Sequence, residues 1–158
     1  MTAKSIKAGV KTLLTNKVNL EENGYQLLEY YPRTINNSKG KVVVIWVRRG
    51  KEERFAGSGR SLGPVQGVKR VPWMVQTSVI AWGTAVDLEY PVFEDLVDKI
   101  LETYRLNNTF GDYHPPDGSQ VLNFGETQEI DNIEPHYVGQ FLRYQTVITT
   151  TCEEILNA

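Results

Sequence analysis

Two histidines (His114 and His136), one cysteine (Cys152) and a close acidic pair (Asp87 and Glu89) are the first side chains to test for chemistry. Nucleophilic catalysis needs a base beside the nucleophile, usually a histidine. His114 precedes Pro115-Pro116 and His136 follows Pro135, so both are expected in loops. Neither has a Gly-x-Ser-x-Gly elbow or a cysteine motif near it. The sequence also lacks His-x-x-x-His, a cysteine pair and an Asp-x-Asp-x-Asp loop, so no metal site is expected. Asp87 and Glu89 suit the cap and first turn of a helix better than a ligand pair. Residues 57–63, Gly-Ser-Gly-Arg-Ser-Leu-Gly, come near a phosphate loop. Their third glycine falls one residue late for the dinucleotide fingerprint, Pro64 follows it, and no helical stripe comes next. No catalytic, cofactor-binding or metal-ligating residue is therefore assigned, and no cofactor is expected.

The chemistry that stands out is charge. Residues 48–70 hold five glycines and seven basic side chains: Arg48, Arg49, Lys51, Arg54, Arg60, Lys69 and Arg70. Glu52 and Glu53 are the acids among them, so the segment carries +5 and the rest of the chain −7, for a total of −2. The whole segment, 48–72, reads as a mobile Gly-rich loop joining two strands, and aperiodic loops of that length are usually functional. Three readings stay open. The loop contacts phosphates without sequence preference; it meets an acidic surface, a second copy of the chain being one source; or it is a solvated arm with no partner. Phe55 is the loop's one aromatic, which gives little support to single-strand stacking.

The elements that position these residues follow from periodicity. A chain of 158 residues and 17.9 kDa folds to roughly 8,000 Å² of surface from about 26,000 Å² unfolded, enough burial for one core and one domain over 1–158. Eight Tyr, five Phe and three Trp exclude disorder as the main state. The longest apolar run, residues 42–47, is far short of the ~20 needed to cross a membrane. The opening residues lack the apolar core of a secretory signal, and the lone cysteine allows no internal disulfide, which fits a reducing cytosol.

Ile6, Val10, Leu13 and Leu14 form one helical stripe. Residues 25–31 look extended, a polar turn covers 36–40, and 41–47 is a β-branched run expected to be buried on both faces. In 73–82, Trp73, Val75, Thr77, Val79 and Ala81 share one face of a strand; Met74, Gln76, Ser78, Ile80 and Trp82 share the other. A helix is expected to begin near Pro91, with Phe93, Leu96, Val97, Ile100, Leu101 and Tyr104 as its core stripe. Residues 111–118 read as a loop, 121–124 and the surroundings of Ile130 as short strands, and 141–151 as a longer strand. The expected class is α+β: a mainly antiparallel sheet, two main helices packed on one face, and a long loop between two central strands.

This order of elements resembles the small ring proteins of tailed-bacteriophage necks, and among them the tail terminator (tail completion) family. The likeness is carried by the opening helix at 6–14, the strand at 41–47, the strand at 73–82 running through Gly83 into the helix at 93–104, and the closing strand at 141–148. It covers most of the chain and rests on order rather than on a signature motif. The resemblance implies a structural virion protein with no enzymatic activity, forming a homohexameric ring. That ring would cap the tail tube, stop its polymerisation and present the head-tail joining surface. The implied partners are the chain itself, the tail tube protein, the neck or head connector protein and DNA in the lumen, with no membrane. The implied place is the virion tail or neck, assembled in the host bacterial cytoplasm. Arg48, Arg49, Lys51, Arg54, Arg60, Lys69 and Arg70 are the expected interaction residues. The alternatives are a head-closure or other neck protein and a small nucleic-acid-binding module using the loop at 48–70; an enzyme is the third reading.

Overall fold

The computed structural model describes residues 3–29, 40–54, 68–83, 86–110 and 120–157. Arg60, His114, the glycine-rich stretch 57–63, the turn at 36–39 and the loop at 111–118 lie outside the described residues.

Helix α1 (Ala3–Lys17) forms where the stripe predicts it, and Ile6, Val10, Leu13 and Leu14 are buried together with Gly9. The chain then turns tightly: Tyr25 N–H donates to the Leu20 carbonyl at 2.9 Å, and Gly24 takes a φ of 79°. Strand β1 (Gln26–Leu28) pairs in parallel with β2 (Lys41–Arg49), Gln26 opposite Val42. The sheet is therefore mixed, although the other pairings are antiparallel. Lys7 Nζ donates to the Glu29 carbonyl at 3.0 Å and so ties α1 to the end of β1.

Strand β2 lies against the 16-residue β4 (Val68–Gly83), with Lys41 opposite Ala81 and Arg49 opposite Trp73. A two-residue strand, β3 (Glu53–Arg54), pairs with Lys69 and Arg70 of β4. Strand thus replaces the two ends of the expected loop at 48–72: β2 runs on through Arg49, β3 takes 53–54, and β4 begins at Val68, while 55–67 lie outside the described residues. The cause is long-range pairing, since β4 also finds β7 (Phe141–Asn157) along its whole length, from Val68 opposite Asn157 to Gly83 opposite Leu142.

Helix α2 (Val86–Leu106) starts earlier than expected, with Pro91 inside it. The first four helical N–H groups have no intrahelical partner, so Pro91, in the second turn, removes a single ladder bond to the Asp87 carbonyl. Asp87 and Glu89 occupy the first turn and Arg105 the last, as the helix dipole favours. The expected stripe from Phe93 to Tyr104 is buried throughout.

Beyond α2, β5 (Gln120–Leu122) and the 11-residue β6 (Gln128–Val138) both pair with the outer side of β7. Strand β6 is longer than expected, and His136 lies in it rather than in a loop. A bulge makes this possible: between Ile133 and His136, residues 134 and 135 oppose only Tyr144. Proline is tolerated at bulges and edges because no ladder hydrogen bond is lost there. The bend between α2 and β6 depends on Gly125, whose φ is 83° and whose Cα faces the Tyr104 carbonyl so closely that a methyl would collide with it.

One apolar cluster joins residues of α1 and α2 with Val43, Ile45, Val47, Trp73, Val75, Val79, Tyr144, Ile148 and Cys152 of the sheet. Val42, Val44, Ile80 and Trp82 form a second cluster on the other side. Strand β2 is thus buried on both faces as far as Ile45, after which Trp46 emerges. A fully buried polar contact is the 2.7 Å hydrogen bond between the Thr77 and Tyr104 hydroxyls.

Candidate interaction surface

Of the residues expected to interact, all but Arg60, which lies outside the described residues, are at one end of β2, β3 and β4. Arg48 is exposed and opposite Met74, on the sheet side away from the helices. Arg49 points to the helix side, 5.9 Å from the centre of the Trp73 ring. Its Nη2 is 3.2 Å from Glu52 Oε2, which neutralises part of its charge. Lys51 is exposed. Arg54 and Lys69 are register partners in the β3–β4 pair, and Arg70 Nε lies 3.3 Å from Glu153 Oε2. Below them Glu154 is fully buried and accepts a hydrogen bond from Trp73 Nε1 at 3.3 Å. Arg48, Arg49 and Lys51 thus share the end of β2 but not one face of the sheet, and Arg54, Lys69 and Arg70 belong to the adjoining β3 and β4.

The opposite edge carries the opposite charge. From Glu126 to Val138 there are four acids, Glu126, Glu129, Asp131 and Glu134, and no lysine or arginine. This edge is also apolar: Ile130, Ile133, Tyr137 and Val138 are 46%, 38%, 74% and 39% exposed. Sequence reading passed over this surface. Ile130 and Ile133 are three apart, so they fall on opposite faces of a strand and break the alternation that marks a half-buried one. The available signal was the combination of apolar residues on both faces, regularly placed acids and a proline, which together describe an edge. A cleft of about 260 Å³ separates β6 from α2, lined by Phe93, Val97, Leu101, Ile130, Asn132 and Thr146.

Cys152 is buried against the core, and burial together with Glu154 and Glu153 pushes its thiol up to about 12, so it stays protonated and unreactive at neutral pH. His136 is exposed on β6, opposite Arg143. Glu89 packs against Gly83, and its negative charge helps burial to push the Tyr144 hydroxyl up to about 12. Among the described residues, no three His, Cys, Asp or Glu side chains converge as a metal site would require. No helix among them is long and apolar enough to cross a membrane. In comparisons with known proteins, the chain matches no family model and no curated sequence.

Proposed function

We propose that this protein is a structural ring subunit of a tailed-phage neck, most specifically a tail terminator that caps the tube and joins it to the head. In this reading both helices back one side of a largely antiparallel sheet, leaving its edges for lateral neighbours and its ends for the tube and the connector. The observation that carries the proposal is β6, a long edge strand with four large apolar side chains exposed along it. Contiguous exposed apolar surface marks interaction sites, and an uncovered edge strand is a template for another chain. The order of helix, strand, long strand, long helix and closing strand supports the same reading.

The test is the solution mass by light scattering after size exclusion, at low and moderate salt, with and without purified tail tubes. The expected result is a closed hexamer of about 107 kDa, six times 17.9 kDa, or binding confined to tube ends; heterologous contacts that close by rotation give such rings. A second reading, a nucleic-acid-binding module, draws on the exposed Arg48, Arg49 and Lys51 at one strand end. A monomer that ignores tubes and retains DNA with a steep salt dependence would replace the first reading by the second.

A further inference from the structure

We infer that copies of this chain join edge to edge, the acidic strand β6 of one pairing antiparallel with the basic end of β2 in the next. The inference rests on the ring reading and specifies its lateral seam. Among the described residues no strand lies beyond β6, and β1 pairs with β2 only at residues 42–44. Past β1, β2 offers residues 45–49, of which Trp46, Arg48 and Arg49 are exposed, and β6 offers 128–133 before its bulge.

Their directions match. Strands β2, β4, β7 and β6 alternate antiparallel across the sheet, so β2 and β6 run in opposite directions. Successive copies related by rotation about an axis along the strands would place them antiparallel and continue the sheet. Their charges are opposite. Glu129 and Asp131 lie opposite Thr149 and Val147, on the sheet side away from the helices, and Arg48 projects from that same side. Glu129 shares a cross-strand row with Trp46 through Thr149 and Gln76, and Arg48 is one row further along. The exposed Trp46 supplies apolar surface at the same height. Two copies of β6 facing each other would set acid against acid, which disfavours a two-fold dimer and leaves the head-to-tail contact. The acids, bulge and proline that guard β6 against promiscuous pairing thereby select a basic partner edge.

The test is a charge swap in the full-length chain, using R48E/K51E and E129K/D131K; all four side chains are exposed. Light scattering and native mass spectrometry give the masses, and circular dichroism checks each fold. The unaltered chain is expected to assemble beyond two copies, and each double variant alone to lose association by about a hundredfold, since like charges then face each other. An equimolar mixture is expected to recover assembly with equal shares of the two variants, because each reversed edge meets a complementary one. The seam is overturned if either variant assembles alone like the parent, if the mixture stays dissociated, or if the parent remains monomeric or stops at two copies. A hexamer indifferent to the swaps overturns the seam and leaves the ring reading standing. An open filament that responds to the swaps supports the seam and removes the closed ring.

Discussion

Strands β2 and β6 are of similar length, and both hold aliphatic side chains on both faces, yet one is interior and the other is surface. In β2 the four residues Val42, Val43, Val44 and Ile45 are all buried, backed by helix α1 and flanked by β1 and β4. In β6 Ile130, Ile133 and Val138 remain more than a third exposed, because among the described residues β7 is the one strand beside it and a cleft separates it from α2. Apolar content alone therefore does not say which strand is core. The charges between the apolar residues do, since Glu129, Asp131 and Glu134 could not be buried without partners.

The comparison predicts its largest difference between two isoleucines. Truncating Ile45, which is fully buried, is expected to destabilise the fold by about 2–5 kcal/mol in urea or guanidinium unfolding. A cost near zero would mean that β2 is not the centre of the core. Next comes the response to alkali. Burial raises the Cys152 thiol from its usual 9.0 to about 12 and the Tyr144 hydroxyl from 10.0 to about 12. Above pH 9 the unfolded chain then binds fewer protons than the folded one, so stability is full below pH 9 and is lost progressively toward pH 12. Thermal unfolding followed from pH 8 to pH 11 is expected to move steadily downward, and a flat profile would contradict the burial of both groups.

A smaller effect is expected from Tyr104→Phe. It leaves the buried Thr77 hydroxyl without its 2.7 Å partner, at a cost of about 1–3 kcal/mol by denaturant titration. The smallest belongs to Ile133→Ala on β6: with the side chain already partly in water, stability is expected to change by less than about 0.5 kcal/mol. If instead it costs as much as the Ile45 truncation, β6 is core and the distinction between the strands fails.

The sequence made the interior strand easier to read than the edge. The α2 stripe and the two faces of β4 follow from periods of 3.6 and 2, and these survive folding because one side of each element meets the core. Parallel β1 is only three residues long, and nothing local encodes its direction. The start of α2 was displaced because Pro91 reads as a first-turn residue, whereas the acids before it already form that turn. The ends of β4 and β7 are charged, and they become strand through each other, at a separation no local window spans. The basic half of the candidate surface was legible as a charge excess. Its acidic counterpart was missed because an exposed edge shows no period.

The bulge at Glu134 and Pro135 acts as a parity switch along β6. Before it, odd-numbered residues face away from the helices; after it, even-numbered ones do, so Glu129, Asp131 and Ile133 share a side with His136 and Val138. A chain one residue shorter at this point, with its hairpin turn unchanged, would reverse the frame of residues 128–133. The acids would then look inward at α2, and Ile130 would look out from the other side. A single codon's length thus decides which side of the sheet carries the charge.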